Sequence, residues 1–152
     1  MRTPPFPVFD ADNHLYETPD ALTKHLPAKH KGAIQWVEIR GRTRLALRGK
    51  ITEFMPNPTF EKVAAPGAHA AFYSGRNPKG LTLREMGGKP IDCEPAFREP
   101  GARLRRLDEQ GVHRALVYPT LANLVEHEAG SDPDLTVAIV HALNEWMHEV
   151  WT

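Results

Sequence analysis

The run Val8-Phe9-Asp10-Ala11-Asp12-Asn13-His14-Leu15-Tyr16-Glu17 decides the reading of this chain. Its lead-in, Pro5-Phe6-Pro7-Val8-Phe9, has the character of a parallel strand that is apolar on both faces, and it then turns abruptly polar. Asp10, Asp12 and His14 stand at alternate positions, so in extended geometry their side chains project to the same side of the strand end. Carboxylate oxygens and an imidazole nitrogen converging at the C-terminal end of a strand can form half of a divalent metal site. The same residues also suit a polar turn in which Asp10 or Asp12 caps the next segment, and spacing alone leaves both readings open.

Working outward, Thr18-Pro19-Asp20 carries N-cap and first-turn signals that predict a short helix to about residue 26. The stretch AIQWVEIRGRTRLALRGK then reads as a β-hairpin over residues 34–48, with Arg40-Gly41-Arg42 at its turn, and its alternation suits an exposed ribbon. From Met55 to Pro100 the chain is dense in proline: Pro56, Pro58, Pro66, Pro78, Pro90, Pro95 and Pro100 each remove a backbone donor, so this part should be irregular. Residues 102–110 form a helix with Leu104 and Leu107 on one face, closed by Gly111, and 112–117 follow as a strand. After a loop, Ser131-Asp132-Pro133-Asp134 announces a long helix to about residue 150, whose apolar stripe is Leu135, Ile139, Ala142, Leu143, Trp146 and Val150.

Composition narrows the function classes. The 152 residues hold 19 Lys+Arg against 19 Asp+Glu, so the chain lacks the basic footprint of a nucleic-acid or anionic-membrane binder. A single cysteine, Cys93, excludes an internal disulfide, and the prolines of MRTPPFPVFD interrupt any apolar run of a signal peptide. No apolar stretch approaches the ~18 residues of a membrane span. Together these predict a cytoplasmic protein with no nucleic-acid and no membrane partner.

At this point the residues resemble a known family. FDADNHLYETPDALTKHLP is similar to the amino terminus of the metal-dependent amidohydrolase-related family that includes aminocarboxymuconate-semialdehyde decarboxylase, the branch often called amidohydrolase 2. Most of that family has a His-x-His pair at the end of the first barrel strand; Asp12-x-His14, preceded by Asp10, stands there in this chain, as it does in a branch with Asp-x-Asp-x-His-x-x-Glu. The segments NPTFEKVAAPGA, SGRNPKGLTLREM, RLRRLDEQGVHRALVYPTLANLVEH and LNEWMHEVW follow in the family's order, so the resemblance covers essentially the whole chain. It implies an α/β fold, the N-terminal part of a (β/α)8 TIM barrel with a β-hairpin and an irregular insertion, about 33–100, after strand one, within a single incomplete domain over 1–152. It implies a divalent metal, zinc first, held by Asp12 and His14, with Asp10 and Glu17 supporting the ligands from behind. The parent activity implied is metal-dependent hydrolysis or non-oxidative decarboxylation of a small carboxylated or cyclic substrate. The family's later metal-binding His residues and its catalytic Asp fall beyond Thr152, so no catalytic residue is assigned here. The short chain alone is then expected to be inactive, and the competing reading is a non-enzymatic product that self-associates or binds a partner.

Other candidates read as structural. His141, Glu145 and His148 have ligand-like spacing, but at ~100° per residue they lie opposite the apolar stripe, on a solvated face. Met55, Met86 and Met147 are gap-fillers, and Trp36 packs on the hairpin. Cys93 lies between Asp92 and Glu94, which disfavours a thiolate nucleophile. Arg103, Arg105 and Arg106 with Asp108 and Glu109 form a mixed-sign, solvated surface, and Gly87-Gly88 follows no strand and is no phosphate loop. Open strand edges and an uncovered 135–150 stripe predict a homo-oligomer or a complementing chain.

Overall fold

In a computed structural model, which describes residues 5–52 and 57–152, the elements run β1 (Val8–His14), β2 (Ile34–Ile39), β3 (Arg42–Leu47), β4 (Lys50–Ile51), β5 (Lys62–Val63), α1 (Ala70–Tyr73), α2 (Leu83–Met86), β6 (Ile91–Asp92), α3 (Pro100–Gln110), β7 (Val112–Tyr118), α4 (Leu121–Ala129) and α5 (Pro133–Trp151). Met55 and Pro56 lie outside the described residues. The chain divides into two compact units, one of residues 1–59 with 94–152 and one of residues 60–93.

In the larger unit β1 and β7 pair in parallel, as the strand, helix, strand order requires. The strand is longer than its apolar lead-in, because the polar residues through His14 stay extended and His14 pairs with Tyr118. Between Asp10 and Asn13 the register slips by one residue, a β-bulge. One face of this two-stranded sheet is bare: Phe9, Leu116 and Tyr118 are all exposed, contrary to the expectation that strand one is buried on both sides. No barrel closes among the described residues.

The hairpin forms as expected, with Ile39 opposite Arg42 and a two-residue turn whose Arg40 and Gly41 both have positive φ, 51° and 71°. That conformation matches the twist of the strands and is cheapest with glycine at its second position. The hairpin is not an exposed ribbon, however. Ile34, Leu45, Ala46 and Leu47 are buried, and a second tight turn at Arg48-Gly49 adds β4 to make a three-stranded meander.

Two helical readings change. Residues 18–26 form successive turns rather than an α-helix, followed by a 3-10 turn at Ala28–His30. Their buried residues, Ala21 and Leu22, are adjacent instead of three or four apart, and Pro27 prevents continuation. The loop expected before the last helix is α4. In α3, Gly111 takes the left-handed conformation at φ 70°, but Leu104 is exposed and Arg103 is buried with Leu107, so the face turned inward is not the one the leucines suggested.

The long helix α5 begins as its sequence dictates: Asp132 accepts a hydrogen bond from Leu135 N at 3.0 Å and Pro133 fills the first turn. Its stripe is closed inside this chain, since Leu135, Ile139, Ala142, Leu143 and Trp146 are all buried, which corrects the expectation of an uncovered face. Ion pairs tie the same helix to the 24–30 segment, from Lys29 to Asp134 at 2.7 Å and from Lys24 to Glu149 at 2.5 Å. His141, Glu145 and His148 are exposed, as the helical period requires.

The smaller unit is short-ranged, as its prolines and glycines demand. Its strands β5 and β6 pair antiparallel, Cys93 N donates to Glu61 O at 3.0 Å, and Thr82 with Glu85 forms a capping box on α2. No helix among the described residues is long and apolar enough to cross a membrane.

Candidate functional site

The C-terminal end of β1 presents its polar residues beside the C-terminal end of β7, the end of a parallel sheet at which sites are built. His14 Nε2 lies 3.1 Å from Asp12 Oδ1, with the carboxylate well exposed and the imidazole half-exposed. The two side chains therefore share one side of the strand end, as the alternation predicts. Asp10 does not join them. The bulge between Asp10 and Asn13 resets the alternation, and Asp10 instead accepts hydrogen bonds from Asn13 Nδ2 at 2.7 Å and from Asp12 N at 3.1 Å. The Asn13 amide first, then the Asp12 N–H, and more weakly the Arg103 charge hold the Asp10 carboxyl below its ordinary value. Asp10 thus braces the bulge as an ionised acceptor.

Arg103 corrects the reading of α3 as a solvated surface. Its side chain is buried, donates to Asn13 Oδ1 and to the His14 carbonyl at 2.6 Å each, and lies over the Phe97 ring at 5.2 Å. Phe97 also stacks on Tyr16 at 4.7 Å and its carbonyl accepts Tyr16 N at 2.8 Å. The guanidinium fork therefore fixes the backbone of the strand end, a task that its planar, bidentate geometry suits.

Glu17 is buried to 2 % exposure and its carboxylate receives three backbone N–H groups at the start of α4: Thr120 at 3.2 Å, Leu121 at 2.9 Å and Ala122 at 2.7 Å. These are orphan donors of a helix N-terminus, and a carboxylate there also meets the favourable end of the helix dipole. Glu17 is therefore a cap supplied from a distant part of the chain, which places Thr120 beside His14. The Thr120 hydroxyl is 3.2 Å from His14 Nδ1 and donates to the Leu15 carbonyl at 2.7 Å, while Tyr118 sets its ring 6.2 Å from the His14 ring. Asn13, Arg103 and Thr120 escaped the sequence reading. The one available signal was position: Thr120 stands just past the end of a strand parallel to β1.

Among the described residues no group of three or more His, Cys, Asp or Glu side chains is close enough to hold a metal ion. Asp12 and His14 are an anionic oxygen and an imidazole nitrogen, the donor types that a borderline divalent cation such as zinc takes, but they are two where catalytic zinc sites use three protein ligands.

A crystal structure of an amidohydrolase from Mycobacterium avium subsp. paratuberculosis K-10 superposes on this chain with a TM-score of 0.82 at 31 % sequence identity, over 97 % of this chain and 39 % of that one. The chain has an amidohydrolase-like fold. It spans 39 % of the length of that amidohydrolase. No family model and no curated protein matches the chain.

Proposed function

We propose that this chain is the opening part of a metal-dependent amidohydrolase of the (β/α)8 type, related to the amidohydrolase 2 branch. Its reaction would be hydrolysis or non-oxidative decarboxylation of a small carboxylated or cyclic substrate. The observation that carries the proposal is the pairing of Asp12 Oδ1 with His14 Nε2, 3.1 Å apart, at the C-terminal end of β1 in an amidohydrolase-like fold. In this reading Asp12 and His14 hold a divalent cation, zinc first, which when bound polarises a substrate carbonyl or carboxylate. Arg103 and Asp10 hold the strand end that carries both ligands, and Glu17 anchors the α4 start against it. Substrate would approach at the C-terminal end of β1 and β7, where Tyr118 stands next to His14. Further β/α units would flank both strands, giving each the second neighbour that parallel barrel strands have.

Calorimetric titration of the chain with zinc tests this. Weak binding, abolished by Asp12→Ala and by His14→Ala, is the expected result. Tight stoichiometric zinc that survives both substitutions would move the site elsewhere, with His141 and His148 the next residues to replace.

A further inference from the structure

We propose that the cavity between the β3–β4 hairpin and α4 is a second binding site, for a small apolar molecule that carries one cationic end. The cavity holds about 310 Å³. Among the described residues Leu45, Leu121, Leu124 and Val125 give it an apolar wall, and Thr52, His127 and Glu128 complete the lining. None of these side chains belongs to the strand end at Asp12 and His14, so the proposal does not rest on the metal-site reading. The helical period sets the wall. Leu121 and Val125 stand four residues apart, as do Leu124 and Glu128, so all four share one stripe of α4 and Glu128 lies one turn beyond the leucine.

Interiors are close-packed and hold few voids larger than a water molecule, so a space of this size between a hairpin and a helix is a feature of the fold. Water fills it poorly. A buried water needs two to four polar partners, and the Thr52 hydroxyl already donates to the Leu45 carbonyl at 3.3 Å, leaving only its oxygen to accept. An apolar cavity of about 150 Å³ takes up benzene, so this one has room for a ring with a short arm. The charge of that arm follows from Glu128. Its side chain is exposed, and among the described residues its carboxylate has no hydrogen bond and no ion pair. An ionised carboxylate only accepts, and the neutral ring of His127, exposed beside it, can accept as well. An ammonium at this position finds acceptors, whereas an anion meets a like charge.

The test titrates the full chain at neutral pH with three probes that share one ring, benzylamine, toluene and benzoate, and follows backbone amide NMR shifts. Benzylamine should saturate, with shifts centred on α4 and on residues 45–52. It should bind about 2–5-fold more tightly than toluene, the share that an exposed ion pair supplies, and benzoate should bind more weakly than both. Glu128→Gln, a change on an exposed side chain, should bring benzylamine to the affinity of toluene and leave toluene unchanged. Leu124→Trp fills the space and should abolish binding of both. No saturable binding of benzylamine overturns the proposal, as does benzoate binding as tightly as benzylamine, or shifts centred on the bare face around Phe9 and Leu116. Should Leu124→Trp fail to fold, the shift map of the unsubstituted chain and the response of Glu128→Gln decide.

Discussion

Replacing Glu17 by alanine should cost this fold more than any other single polar substitution at the strand end. The carboxylate is buried and is the acceptor for Thr120 N, Leu121 N and Ala122 N. Leu121 and Ala122 are themselves buried, so their N–H groups would be left without water as well as without carboxylate. Each such stranded donor costs ~1–3 kcal/mol, and loss of the charge at the helix start adds up to ~2 kcal/mol. Against this stands the desolvation of the carboxylate, which alanine relieves. The balance is about 3–4 kcal/mol, a large share of the ~5–15 kcal/mol that holds a domain together. Glu17→Gln keeps the shape and one good acceptor but turns an amide NH2 toward the helix, so about half that loss is expected.

Urea unfolding at constant m-value measures the difference, and amide exchange locates it. Exchange should accelerate first in α4, because a helix of nine residues is too short to stand without its cap and packing, while protection in the separately capped α5 should persist. A destabilisation below about 1 kcal/mol in Glu17→Ala, or unchanged exchange at Leu121 and Ala122, would refute the reasoning.

Trp146, 2 % exposed on α5, should cost about 3–5 kcal/mol when replaced by alanine, measured by thermal or urea unfolding, whereas an uncovered stripe would make the change nearly neutral. Three carboxyls of the α5 region are held below their ordinary values: Asp132 by the Leu135 N–H and then Arg48, Asp134 by Lys29, and Glu149 by Lys24 and then His25. Since the unfolded chain takes up protons at these groups first, their contribution is present above the ordinary carboxylate range and is lost as pH falls through the lowered values. The melting temperature should therefore hold from about pH 7 to 5 and fall below about pH 4, and a rise between pH 5 and 3 would contradict the assignment. The bare face of β1 and β7, with Phe9 56 % and Leu116 48 % exposed, should make the chain heavier than a monomer in light scattering at high concentration; a monomer with a sharp cooperative transition would show that the face stands alone.

What could be read from the sequence divides along a physical line. The start of α5 was legible because its cap, its proline and its first-turn acid are adjacent residues, so local chemistry carries the whole signal. The hairpin was legible for the same reason, since a turn of Arg40 and Gly41 is decided by two residues. The start of α4 was not, because Thr120 makes no side-chain cap of its own and the capping carboxylate stands at Glu17, 105 residues before Ala122 in the chain. Residues 18–26 show the converse. They have local helix-start chemistry, with the Thr18 hydroxyl on Asp20 at 2.5 Å, yet tertiary burial of the adjacent pair Ala21 and Leu22 leaves only turns.

The same line runs through the site. The shared side of Asp12 and His14 was legible because alternation along one strand is a local rule, whereas the bulge between Asp10 and Asn13 removes Asp10 from their company. The residues that make the pair usable are non-local. Arg103 comes from α3 and reads as a surface charge until the strand end is laid against it, and Thr120 comes from the end of β7. Both act on His14 through groups with fixed direction, one nitrogen of a guanidinium fork on its carbonyl, the other being on Asn13 Oδ1, and a hydroxyl at its Nδ1. If Asp12 and His14 hold a cation as proposed, a strand end braced in this way would keep the two donors steady beforehand, so binding would spend little free energy on ordering them. Among the described residues these braces serve a two-residue pair at the end of a two-stranded parallel sheet, with no third His, Cys, Asp or Glu beside it.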